Sequence, residues 1–366
     1  MKAAVCYEFG KPLIVEEVVI DSPKKGEVKV RIAATAICHS DIHVIKGELG
    51  PRKLPLVPGH ESAGHIEEVG ENVTSVRQGD AVVVSLLKSC RRCHFCVTGL
   101  PHLCEAKWPL SCDTKQPNPP DSRLHNKKGQ NLSHMTGVAG FAEYAIVDES
   151  QVVQISKEIP LDRAALLACG VITGFGAVVY RARVEVSSSV VVIGTGGVGL
   201  NSVQGAAISG AYPIIAVDIS DRKLEAARAF GATHTMKADD KDAVKKVQQL
   251  TSGRGADYVF VTVGNTAAVQ QGFLMSGPRG MTVVAGLPPK GETISLPPFL
   301  AGERIFTSGS MGSTRLSIDI PKLVALYQAG RLKLDELITN RYPLEQINEA
   351  IESVERGEAL RNVIMF

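Results

Sequence analysis

Cys90-x-x-Cys93-x-x-Cys96-x7-Cys104 places four thiols in one short stretch. That spacing lets a single tetrahedral Zn²⁺ take four thiolates, and a closed Cys₄ set leaves no open position for chemistry, so this metal would be structural. An iron–sulfur cluster uses the same four ligands. A disulfide framework would need an oxidising compartment, for which nothing in the sequence argues. A second group lies upstream. Cys38-His39-Ser40-Asp41-Ile42-His43 is followed by Pro58-Gly59-His60-Glu61. Cysteine and histidine are the usual zinc ligands, and a nearby carboxylate commonly fixes a ligand's ring and tautomer. Each histidine alone would be an ordinary surface or core residue; the clustering is what points to metal. Cys169, taken alone, reads as a small buried hydrophobe, as do Cys6 and Cys112.

A third stretch suits a dinucleotide. The β-branched run Val190-Val191-Val192-Ile193 enters Gly194-Thr195-Gly196-Gly197-Val198-Gly199, a Gly-x-Gly-x-x-Gly turn. A small-residue helical pattern and a second strand, Pro213–Val217, follow and end in Asp218. A strand, a glycine turn, a helix and an acid roughly 20 residues on make a dinucleotide-binding unit. The glycines let backbone approach a pyrophosphate at the helix N-terminus, and Asp218 can accept hydrogen bonds from the adenosine ribose.

The elements that must position these groups can be read in outline. Short β-like runs fill residues 1–35, Val28-Lys29-Val30-Arg31-Ile32 being the clearest period-2 strand. Residues 105–135 read as a solvated loop, with Trp108, the only tryptophan, at its start as a pocket residue or a structural anchor. Phe141–Val147 returns to strand. Beyond Gly194–Asp218, a helix starts at Asp221, and further strands are expected at Tyr258–Thr262 and Met281–Ala285. Strands alternating with helices predict a doubly wound parallel sheet over about 171–313. The remainder reads as mostly helical, with helices opening at Ile320-Pro321 and at Pro343, and a last strand over 360–366.

Composition excludes several classes. The 366 residues suffice for two domains, and 44% hydrophobic with 21% charged is ordinary for a globular protein. Forty Lys and Arg against 38 Asp and Glu give no field that would draw the chain to nucleic acid or an anionic membrane. The uncharged run Ala164–Tyr180 is shorter than the ~20 residues a bilayer requires and carries three glycines and a threonine, so it predicts buried helix. The N-terminal residues turn polar too early for a signal peptide, and a cytoplasmic location is expected.

Nearly the whole chain resembles the zinc-dependent medium-chain alcohol dehydrogenases. The resemblance is carried by the Cys38–His43 cluster, Gly59-His60-Glu61, the Cys90/93/96/104 lobe and the Gly194–Gly199 turn with Asp218. It implies a β-rich GroES-like catalytic domain over 1–170 and 314–366, with a zinc lobe at 88–106, and a Rossmann NAD-binding domain over 171–313. It further implies two zincs per chain: one structural, and one catalytic on Cys38, His60 and Cys169, with Glu61 in the metal set and, like Asp41, supporting it. Ser40 and His43 fall at the positions of a proton relay. His39 stands where well-known animal enzymes have an arginine near the coenzyme pyrophosphate, and Arg361 matches an arginine that reaches the same phosphates. Gly194, Gly196, Gly197, Val198, Gly199, Asp218 and Lys223 would hold the adenosine half of NAD, and Thr173, Val263 and Leu287 the nicotinamide half. Asp218 favours NAD over NADP by repelling a 2′-phosphate. Leu86, Trp108, Phe141 and Leu287 would line an apolar substrate pocket, with Leu86 replacing an aromatic and widening it. The 105–135 stretch resembles that of dimeric relatives and also occurs in enzymes that oxidise thiol adducts of formaldehyde. The expected reaction is NAD-dependent oxidation of a medium-sized or bulky hydrophobic alcohol, with the thiol adduct as the alternative. A zinc-free quinone reductase-like relative or a non-catalytic coenzyme binder would lack the Cys38/His60/Cys169 set.

Overall fold

The computed structural model describes residues 1–50, 52–105, 122–288, 291–296 and 302–366. They form two compact units, Met1–Cys169 with Arg315–Phe366, and Gly170–Thr314.

The contiguous unit is built on six parallel strands. In spatial order these are His234–Lys237, Ile214–Asp218, Val190–Ile193, Ala256–Val261, Ser276–Val284 and Ile305–Ser308. Counted along the chain the order is 3-2-1-4-5-6, the doubly wound arrangement in which the crevice lies at the carboxyl ends of the first and fourth strands. Val190–Ile193 is buried throughout, as a central parallel strand covered on both faces requires. The helix Gly197–Ile208 follows it and packs against Gly170–Gly176. That packing needs glycine: a Cβ on Gly174 would lie 2.0 Å from the Val198 carbonyl oxygen. The uncharged run becomes the short helices Leu161–Leu166 and Gly170–Gly176 and a π-helical turn over Ala177–Ala182. No helix among the described residues is long and apolar enough to cross a membrane.

The discontinuous unit holds two sheets. One runs Lys2–Val5, Ile14–Ile20, Leu124–Asn126, Asn131–His134, Leu56–Val57. The other runs Val152–Gln154, Ala81–Val84, Ser62–Val69, Glu27–Ala36, Arg361–Met365, Ile338–Pro343, with Tyr144–Asp148 also paired to Glu27–Ala36. The strand near the end of the chain thus pairs antiparallel with Glu27–Ala36, Val363 opposite Ala36. The main core of this unit gathers Cys6, Ile37, Ile42, Leu56, Met135 and Phe141.

Two expectations need correction. Within 105–135, residues 124–134 form a β-hairpin rather than loop: Leu124 pairs with Leu132, and Gly129 at φ 76° makes the turn that composition alone presented as solvated excursion. The helix expected to open at Ile320-Pro321 begins at Leu316. Asp319, fully buried, accepts bonds from the Arg315 backbone N–H and guanidinium and stabilises a first turn that precedes the proline.

Candidate active site

Two groups of side chains bring their ligand atoms within 4.8 Å of one another: Cys38, His60, Glu61 and Cys169, and Cys90, Cys93, Cys96 and Cys104. Both lie in the discontinuous unit.

The first is assembled from three places. Cys38 precedes the helix His39–Ile45, and its N–H donates to Asp41 Oδ2 at 2.9 Å. His60 and Glu61 follow Gly59, whose φ of 92° and lack of room call for glycine; a Cβ there would lie 2.5 Å from the Phe141 nitrogen. The turn is held by Phe141 N–H to Pro58 O and Gly140 N–H to Gly59 O. Cys169 comes from beyond the helix Leu161–Leu166, where the buried Ser85 hydroxyl grips the preceding carbonyl, Ala168 O, at 2.7 Å.

Asp41 organises the group. Fully buried, its Oδ1 accepts from Gly59 N–H at 3.1 Å and bonds His60 Nδ1 at 2.8 Å. With Nδ1 so engaged, Nε2 is the nitrogen left facing the sulfurs. Ser40 Oγ lies 3.1 Å from Cys38 Sγ and 3.3 Å from His60 Nε2. Burial alone would push the His60 ring down, but Asp41 and then Cys38 outweigh it and hold it well above its ordinary range. A bond from Cys169 holds the Cys38 thiol well below its ordinary range, and the same bond, with burial, holds Cys169 well above it. Burial pushes Glu61 up to about 7 against the pull of Arg361.

These residues fit zinc. Two sulfurs and an imidazole nitrogen are the donors it prefers, and buried Glu61 Oε1 has no hydrogen-bond partner, the mark of a site completed by something else. Replacing Asp41 with asparagine is expected to weaken zinc at this site by about 10–100-fold, read by chelator competition while the Cys₄ lobe keeps its metal.

The Cys₄ lobe also fits a metal. Cys90 N–H points at Cys104 Sγ at 3.2 Å and Cys93 N–H at Cys90 Sγ at 3.3 Å. Backbone N–H groups of Arg92 and Cys93 pull the Cys90 thiol down to about 6, whereas burial pushes Cys96 up to about 12. Cys93 and Cys104 sulfurs stand 3.9 Å apart, far beyond the ~2.05 Å of a disulfide, and no disulfide joins the described cysteines. Lys88–Asp148 at 2.7 Å and Arg91–Glu149 at 3.3 Å tie the lobe to its own unit.

The glycine turn belongs to the contiguous unit. Gly194 has φ 86°, and a Cβ on Gly199 would lie 1.8 Å from Gly194 O. A Cβ on Gly196 would meet nothing within 4 Å, the open face a phosphate needs. Gly197 and Val198 begin the helix. Val263 packs over Gly194, Lys223 sits in the first turn of the helix Asp221–Ala229, and Thr173 is buried with its hydroxyl 3.7 Å from Met311 Sδ. Leu287 is 41% exposed.

Several residues have partners that sequence reasoning did not assign. Arg361, read as a phosphate contact, is buried and bonds Glu61 through Nη2. The His43 ring bonds Glu48 at 2.5 Å. His39 is exposed. Leu86 is 3% exposed, and Phe141 has no exposed surface: it stands behind the Gly59 turn in the core rather than as an open wall. Trp108 lies outside the described residues. Ser85, Thr195 and Thr262 were missed, since a single hydroxyl carries no sequence signal.

A GroES-like β unit with a Cys/His metal cluster and a Rossmann unit with an open glycine turn define a zinc- and nicotinamide-dependent dehydrogenase. The comparisons agree. The family "Alcohol dehydrogenase GroES-like domain" matches residues 24–157 and "Zinc-binding dehydrogenase" matches residues 197–329. The chain is 40% identical to an NDMA-dependent alcohol dehydrogenase of Amycolatopsis methanolica, covering 100% of this chain and 98% of that protein. It is 38% identical to an S-(hydroxymethyl)glutathione dehydrogenase of Saccharomyces cerevisiae, over 99% and 95%. The crystal structure of benzyl alcohol dehydrogenase from Acinetobacter calcoaceticus superposes with a TM-score of 0.91 at 31% identity, over 100% and 99%. This chain belongs to the zinc-dependent medium-chain alcohol dehydrogenase family. It is a zinc-containing, NAD(P)-dependent oxidoreductase.

Proposed function

We propose that the protein oxidises a medium-sized or bulky hydrophobic primary or secondary alcohol with NAD, giving an aldehyde or ketone, at a centre built on Cys38, His60 and Cys169. The observation that carries this is the convergence of those three ligand atoms beside Ser40, with Asp41 fixing the imidazole. Zinc held by Cys38, His60 and Cys169 would supply the Lewis acidity that makes an alcohol proton easier to lose, and a nicotinamide coenzyme held at the glycine turn would supply the hydride acceptor. In this reading Ser40 Oγ, beside Cys38 and His60, accepts the hydroxyl proton, and the half-exposed His43 ring, bonded to Glu48, is the group that releases a proton to solvent. Leu86, where an aromatic would narrow the site, supports the larger alcohol. Asp218 supports NAD over NADP, since its carboxylate would repel a 2′-phosphate. The Cys₄ lobe holds the second, structural zinc, and a homodimer is the expected assembly.

The likeness to the yeast S-(hydroxymethyl)glutathione dehydrogenase favours a second reading, oxidation of a thiol adduct of formaldehyde. One experiment separates them: zinc content per chain and NAD⁺ reduction across a panel of alcohols. Two zincs and turnover of hydrophobic alcohols are expected. Turnover only when formaldehyde and a low-molecular-weight thiol are both supplied would establish the second reading, and one zinc without turnover would overturn both.

A further inference from the structure

We propose that Thr195 is a positioning residue: its hydroxyl fixes the Asp218 carboxylate and so sets the affinity for NAD and the preference for a ribose 2′-hydroxyl over a 2′-phosphate. The proposal rests on the reading of Asp218 as the ribose partner.

Thr195 is the variable residue inside the glycine turn, and it is fully buried. Its N–H donates to Asp218 Oδ2 at 2.7 Å and its hydroxyl to the same oxygen at 3.1 Å. The other oxygen, Oδ1, accepts from Ser220 N–H at 2.9 Å. Any residue but proline at 195 would supply the N–H; only threonine or serine carries a hydroxyl short enough to bond Asp218 there. A carboxylate offers about four acceptor positions. Oδ2 uses two on Thr195 and Oδ1 one on Ser220, which leaves one on Oδ1 for a ribose hydroxyl. The torsion that turns a carboxylate is soft. Donors on both oxygens remove that freedom, and the turn itself cannot follow the carboxylate away, because Thr262 Oγ1 holds Gly194 O at 2.7 Å. A 2′-phosphate would therefore meet an anion that cannot swing aside, whereas a ribose hydroxyl meets an acceptor already aimed.

The test compares zinc-loaded full-length Thr195→Val, Thr195→Ser and Asp218→Asn with the parent. NADH dissociation constants come from fluorescence, and kcat and KM are measured with both NAD⁺ and NADP⁺. For Thr195→Val, loss of a hydrogen bond to a charged acceptor predicts NADH binding weaker by about tenfold and an NAD-over-NADP preference lower by about tenfold. The rise in KM for NAD⁺ should exceed any fall in kcat. Thr195→Ser should restore parental values. Should the valine variant not fold, Thr195→Ala against Thr195→Ser makes the same comparison, with thermal midpoints recorded for both. Parental NADH binding in Thr195→Val beside weakened binding in Asp218→Asn would overturn the proposal, as would a serine variant as weak as the valine one. Parental binding in Asp218→Asn would instead overturn the ribose reading, and the proposal with it.

Discussion

Cys169→Ala is expected to abolish alcohol oxidation and leave one zinc per chain, while NADH binding stays measurable. Cys169 is buried, and its thiol is bonded to that of Cys38 within the Cys38/His60/Glu61 group. Alanine leaves one sulfur and one nitrogen there, with only the Arg361-bonded Glu61 carboxylate as a third donor, a weaker set than the two sulfurs and one nitrogen of the intact centre. Lewis-acid assistance is worth several kcal/mol, and each 1.36 kcal/mol is tenfold in rate, so a loss of about 10³-fold or more should follow. The glycine turn lies in the other unit and keeps its own contacts with Asp218 and Thr262. Zinc analysis, steady-state rates and NADH fluorescence on one preparation check this. Turnover near the parental rate would remove Cys169 from the centre.

The second large effect concerns the lobe. Cys104→Ser should drop the other zinc and open the segment from Cys90 to Cys104 to proteolysis. The lobe has almost no core of its own: Val97 is 67% and Leu100 41% exposed, and buried Cys104 and His102 are its only well-covered side chains among the described residues. With so little apolar burial, the metal must supply most of the local cohesion, as in small zinc domains. Limited proteolysis with mass mapping should locate new cuts between residues 90 and 105. Two retained zincs and an uncut lobe would show that other contacts, such as Lys88–Asp148, suffice.

What was legible in the sequence is what is local. The Cys₄ lobe and the Gly194–Asp218 unit declare themselves because all their parts fall within one or two elements, and the strand–helix alternation implied the parallel sheet. What was not legible depends on groups far apart in the chain. Glu61 and Arg361 meet because the strand Arg361–Met365 lies beside Glu27–Ala36, a pairing that spacing cannot announce. Phe141 was placed on a pocket wall by its likeness to relatives, but its burial follows from the Gly59 turn lying against it. The hairpin at 124–134 was hidden because Asn, Lys and Gly compose tight turns and solvated loops alike.

The interleaving of the chain also sets an order of assembly. The coenzyme-type unit is contiguous, and every strand of its sheet has been synthesised once residue 308 is made. The ligand-bearing unit must wait: Glu61 acquires its arginine from a strand synthesised 300 residues later. During translation, all four side chains of the metal cluster, Cys38 to Cys169, are therefore made long before the strand Arg361–Met365 can join the sheet beside them.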